Sequence, residues 1–271
     1  MFDIMSRAQN AMEIYNAALD ITSTNIANMD VTGYKGLSPS FQSIFENLIR
    51  SGTPASTFSN IGGTNPVQLG QGVGIANISL DFSQGALAES NAPGDLGIEG
   101  RGFFIVSNNG GSSYLYTRAG QFFIDSYGNL VTDKGMQLYG LNEAGTIAPI
   151  TGLIGDWQQD YSWNEGTGEL LYKGGSTGYK IALTYFQNPS GLEQKSGTTF
   201  AESLASGSPA IPLTVGGTAG NIKSGQLEGS NVFYTGESIK ALEYQRAMSA
   251  NLSMVKAASD MISQVISRLG S

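Results

Sequence analysis

The chain has 271 residues, 40% hydrophobic and only 13% charged, with a formal charge of −8. That composition excludes a disordered chain, and the acidic balance argues against nucleic acid, whose binding rests on cation–phosphate contacts. Histidine and cysteine are both missing, which removes imidazole bases, thiolate nucleophiles, disulfides and the commonest zinc, iron and copper ligands.

The expectation is therefore a protein that is not an enzyme, with no catalytic residues, no cofactor and no metal. No stretch approaches the ~20 apolar residues of a membrane span. The first residues, Met1-Phe2-Asp3-Ile4-Met5-Ser6-Arg7, lack a basic segment followed by an apolar one. If the protein is exported, it leaves without a cleaved signal peptide.

The first predicted element runs from about Asp3 to Met29 and is one long helix. Met5, Ala8, Met12, Tyr15, Leu19, Thr22, Ile26 and Met29 recur at alternating steps of three and four, the seam of a coiled coil. No Gly or Pro interrupts it, and Gly33 can supply the positive φ that ends it. Residues 37–75 follow as an extended linker and long loop, with Ser, Thr, Gly, Pro and Asn concentrated between Ser51 and Asn65.

Residues 76–229 form a glycine-rich all-β domain, since many turns need glycine and the chain has 37. Phe103–Val106 is a short apolar run, Asn108-Asn109-Gly110-Gly111 a turn, and Tyr114–Thr117 the returning strand. Phe122–Asp125, the turn Ser126-Tyr127-Gly128-Asn129 and Leu130–Thr132 repeat the arrangement, with further strands near Leu170–Lys173 and Lys180–Phe186. A last helix spans about Glu237 to Leu269. Its seam is Ala241, Tyr244, Met248, Asn251, Val255, Ala258, Ile262, Val265 and Leu269.

A seam must be buried somewhere. The economical arrangement is α+β: the terminal segments 1–36 and 230–271 pair as a coiled-coil assembly core, and the β domain hangs between them. At ~1.5 Å per residue the helices would be roughly 40 and 50 Å long, leaving apolar surface for other subunits.

Gly70-Gln71-Gly72-Val73-Gly74 lacks the final glycine and following helix of a dinucleotide site, so it reads as a turn. Asp81, Glu89, Asp95, Glu99 and Asp125 show no spacing that pairs two carboxylates for glycoside chemistry. A competing function from another class is a secreted β-domain module binding carbohydrate or host protein. It would need Trp157, Tyr161, Trp163 and Tyr185 as an exposed platform.

Four segments together resemble one family. Asn25-Ile26-Ala27-Asn28, then Gly33-Tyr34-Lys35, is similar to the signature of bacterial flagellar rod and hook proteins. Asp95–Phe104, Tyr116–Phe122 with Asp125 and Gly128–Thr132, and Leu227–Val232 with Gln245-Arg246 resemble later motifs of that family in the family's own order. Thr24 and Val31 stand where the family usually has Asn and Thr, Phe233 where an acidic residue is usual, and Met248 where an aromatic is. The resemblance implies a structural subunit of the distal rod or hook that self-assembles into a helical tube and transmits torque. It also implies copies of itself and other axial proteins as partners, and export through the flagellar type III apparatus to the basal body.

Overall fold

The computed structural model describes residues 2–43, 46–52, 64–70, 72–90, 92–210, 214–216 and 218–269. Residues 53–63, the greater part of the loop expected between Ser51 and Asn65, lie outside the described residues.

The chain opens with α1 (Phe2–Ala27), free of Gly and Pro throughout. Asp3 in its first turn suits the positive end of the helix dipole and pairs with Arg7 one turn on, at 2.6 Å. Its most buried positions, Ala8, Ala11, Ala18, Thr22 and Asn25, are small and recur at steps of three, four or seven. Thr22 returns its hydroxyl to the Ala18 carbonyl at 3.0 Å, so this stripe carries no unsatisfied oxygen into the interior.

Where the sequence reads as linker and loop, the described residues form strands. They are β1 (Leu37–Ser43), β2 (Glu46–Arg50), β3 (Val67–Gly70) and β4 (Val73–Leu80). β1 pairs with β4, and β2 runs antiparallel to β3. The polar composition of β1 hides it: it alternates half-buried and exposed positions over its first four residues and is exposed after that, so no apolar alternation marks it.

Among the described residues sixteen short strands follow: β5 (Leu87–Glu89), β6 (Leu96–Glu99), β7 (Phe103–Ser107), β8 (Leu115–Thr117), β9 (Phe122–Ile124), β10 (Leu130–Thr132), β11 (Gln137–Leu141) and β12 (Ile147–Pro149) in the first half. After the single helical turn α2 (Trp157–Asp160) come β13 (Tyr161–Trp163), β14 (Glu169–Tyr172), β15 (Gly175–Ile181), β16 (Leu183–Thr184), β17 (Glu193–Ser196), β18 (Thr199–Ala201), β19 (Asn221–Ser224) and β20 (Gln226–Glu228). The chain closes with α3 (Tyr234–Leu269). The molecule is thus α+β, with terminal helices flanking a mainly β middle.

The main sheet runs β13-β14-β15-β11-β7-β8-β18-β17. β7 lies at its centre and is buried along its whole length. Because successive side chains point to opposite faces, Phe104 and Val106 enter one apolar core and Phe103 and Ile105 the other. This explains why Phe103–Val106 is continuously apolar instead of alternating. The first core also holds Trp157, Tyr161 and Trp163, and the second holds Tyr116, Phe186 and Phe200. Away from this sheet, β19 runs antiparallel to β6 and β20 to β5, so the last strands return to the first strands of the middle.

The chain forms two compact units. One comprises Met1–Thr24, Ser38–Ser79 and Thr235–Ser271, the other Asn25–Leu37 and Leu80–Tyr234. In the first, Tyr15 of α1, Phe41 of β1 and Tyr244 of α3 form an aromatic triangle with centroids 5.9–6.2 Å apart. In the second, both apolar cores surround the main sheet.

Candidate functional site

Where α1 ends, the chain makes a compact turn. Asn28 donates to the Asn25 carbonyl at 3.1 Å and Val31 to that of Asn28 at 3.2 Å, and Gly33 has φ +69°. Asn25 then holds the departing strand with both ends of its amide: Nδ2 donates to the Leu37 carbonyl at 2.8 Å and Oδ1 accepts from Leu37 N–H at 2.9 Å. Tyr34, buried beneath, brings its hydroxyl to 3.4 Å from Asn25 Oδ1. The turn therefore places Lys35 in the interior, fully buried despite its charge.

Lys35 is met there by Glu228 of β20, also fully buried, at 2.7 Å. The second oxygen of Glu228 accepts from Arg118, which follows β8, at 3.0 Å. Lys35 donates further to the Ser83 carbonyl at 2.7 Å, Arg118 to that of Gly100 at 2.8 Å, and Gly85 N–H to Glu228 Oε1 at 2.9 Å. Gly33 N–H donates to the Glu228 backbone carbonyl at 2.7 Å. Burial pushes the Lys35 ammonium below its ordinary pKa, and the charge and hydrogen bond of Glu228 pull it back up.

Asn231 extends the same network. Its Oδ1 accepts from Gly36 N–H at 2.9 Å, and its Nδ2 donates to the Asp81 carbonyl at 2.7 Å. Segments 25–37, 81–85, 118 and 228–231 are thereby fastened into one clasp. Its charged groups are satisfied by partners, with one exception among the described residues: Arg118 Nε is buried and has none.

Of the motif residues expected from the sequence, Asn25, Gly33, Tyr34 and Lys35 meet in the clasp, Asn28 is half-buried in the turn, and Ala27 is exposed. Arg118, Glu228 and Asn231 were not expected as site residues. The signal was present in the sequence: each is a polar or charged residue embedded in a motif of a chain that is otherwise poor in charge.

Along α1, Ala8 is buried and Met5, Met12, Tyr15, Leu19 and Ile26 are half-buried; the helix ends at Ala27, so Met29, also half-buried, lies in the turn beyond the helical seam. Along α3, Ala258 is buried and Ala241, Tyr244, Met248, Asn251, Val255 and Ile262 are half-buried, while Val265 and Leu269 are exposed. α3 also exposes Ile239, Leu242, Leu252, Met254, Met261 and Ile266. Among the described residues no helix is long and apolar enough to cross a membrane, and no cluster of acidic side chains could hold a metal ion.

Three protein-family models match the chain. Residues 5–35 match "Flagella basal body rod protein", 97–152 "Flagellar hook protein FlgE/F/G D1 domain", and 223–269 "Flagellar basal body rod FlgEFG protein C-terminal". Each matched segment supplies one charged member of the clasp: Lys35, Arg118 and Glu228. The flagellar basal-body rod protein FlgG of Bacillus subtilis (strain 168) is 31% identical over 260 residues, 95% of each chain. That of Buchnera aphidicola subsp. Schizaphis graminum is 31% identical over 271 residues, 97% of each. The flagellar hook protein FlgE of Helicobacter mustelae is 37% identical over 131 residues, 48% of this chain and 29% of that one.

Proposed function

Because the chain belongs to the flagellar rod and hook protein family, we propose that it is a structural subunit of the distal rod that builds a helical tube with copies of itself and passes torque along it. The observation that carries this reading is similarity to rod proteins over 95% or more of both chains, whereas the similarity to hook proteins covers 48% of this one. The family is one of structural flagellar components, not of enzymes.

The helices support polymerisation. Residues Ile239, Leu242, Leu252, Met254 and Ile266 leave apolar side chains in water on several sides of α3, and apolar surface of that extent calls for cover. Stacking of Tyr15 on Tyr244 at 6.2 Å supports pairing of the two terminal helices as a coiled coil. In this reading segments 1–36 and 230–271 are the assembly core, with copies and other axial proteins covering what remains. The chain reaches the basal body through the flagellar export apparatus.

The competing reading, a module binding carbohydrate or host protein, requires an aromatic platform. Trp157, Tyr161 and Trp163 are only 6, 3 and 4% exposed, and Trp163 Nε1 donates to the Gly94 carbonyl at 3.1 Å. These rings are core. Electron cryo-microscopy of basal bodies from the native bacterium tests the proposal. Density for this chain as a repeating tube wall, with the terminal helices packed between copies, is expected. A single peripheral copy would refute it.

A further inference from the structure

The clasp has an imbalance that points outward. Lys35 and Arg118 share one buried carboxylate, Glu228. Asp81, the other carboxylate whose charge reaches Lys35, is exposed and occupied with the Ser83 N–H and hydroxyl at 2.9 and 3.0 Å. Arg118, with both Nη atoms engaged and Nε unpartnered, lines a cavity of about 170 Å³.

Three aromatic rings form much of the rest of that cavity's wall. Phe82, Phe103 and Phe186 line it, with Phe82 edge-on to Phe103 at 5.4 Å and Phe103 to Phe186 at 5.9 Å. Arg101 lines it too, exposed and without an ion pair among the described residues. A second positive charge thus stands beside a pocket whose low-dielectric walls strengthen attraction for an anion. Exposed Gln187 completes the lining used here.

Resting on the assembly reading above, we propose that this pocket receives an Asp or Glu side chain from a second copy of the chain. The cavity has the size of a single side chain, its aromatic walls suit the methylenes, and the exposed Arg101 guanidinium suits the carboxylate, with the buried Arg118 behind it. Charge complementarity favours a second copy as the donor, since with 22 Asp and Glu against 14 Lys and Arg each copy carries carboxylates in excess. Copies packed side by side need such cation pockets to offset their mutual repulsion.

The test uses the full chain in the native bacterium. Gln187→p-benzoylphenylalanine places a photo-crosslinker at the pocket, and basal bodies built from mixed light and heavy isotope-labelled copies are irradiated and mapped by mass spectrometry. A light–heavy cross-link to a segment containing Asp or Glu is expected. Arg101→Glu, at an exposed position where the fold is insensitive, should lower rod-incorporated protein by about tenfold or more through like-charge repulsion. Reversing the charge of the mapped acid should restore it.

A cross-link confined to the same copy or to a different protein overturns the proposal. So does an Arg101→Glu chain that builds rods in normal number and length, while the assembly reading stands. If the unmodified chain builds no polymer, both fail.

Discussion

Gly33 meets three demands at once. It has φ +69°, its N–H reaches the Glu228 carbonyl, and a Cβ there would lie 2.5 Å from the Ala119 nitrogen. Gly33→Ala combines a left-handed penalty with a clash against backbone that cannot rotate away, for a loss of about 2–5 kcal/mol. Urea unfolding measures it, and a loss below about 1 kcal/mol would mean the turn relaxes freely. Glu228→Gln leaves two buried cations without a countercharge and should cost about 3–5 kcal/mol. Lys35→Met should cost less, because Arg118 still pairs with Glu228.

The same lysine gives a pH signature. Its folded pKa is lowered from the ordinary 10.5, so between those two values the unfolded chain holds a proton that the folded chain has released. Stability therefore rises with pH across that window, and below it both states are protonated and the desolvation cost applies in full. Measured against Lys35→Met, the native chain should gain relative stability as the pH rises toward the ordinary lysine value of 10.5. A flat difference would place Lys35 in a solvated setting, and a falling one would show that its pairing with Glu228 outweighs burial.

At the scale of elements, Val255 on α3 and Leu19 on α1 are half-buried in the subunit and belong to the expected seams. Leu19→Asp or Val255→Asp puts an unpartnered charge where another helix is to pack, at a cost of several kcal/mol. Assembly should be lost while the near-ultraviolet circular dichroism of the β middle stays unchanged; filaments from either variant would sink the proposed seam.

Both long helices were legible because a three–four alternation over many turns has no competing explanation. The central hairpins were legible because Asn108–Gly111 and Ser126–Asn129 punctuate apolar runs. β1 was not, since a strand whose exposed positions are mostly polar carries no period to read. The clasp was legible only as isolated motif letters. Its ion pairs join residues 193 and 110 apart, and no local pattern encodes a partner at that separation.

For the whole molecule, the two units differ in what closes them. The second encloses both apolar cores of the main sheet. In the first, α3 buries only Ala258 among its described apolar residues beyond the opening turn. Limited proteolysis of the isolated subunit should therefore remove the terminal helices and leave a core from about residue 25 to about residue 234. First cuts within the middle, with both ends protected, would contradict this division.

The separation of Lys35 from Glu228 also sets a clock. A chain that emerges N-terminus first delivers Lys35 and Arg118 early, then waits more than a hundred residues for the carboxylate they both require. β19 and β20, the partners of β6 and β5, arrive in that same late stretch. Until then two cations have no reason to leave water, and β5 and β6 lack the strands they pair with. A chain ending at residue 220 should accordingly be protease-sensitive around β5 and β6, and a peptide of residues 221–236 added in trans should protect it. Full protection without the peptide would show that the sheet closes before its last strands are made.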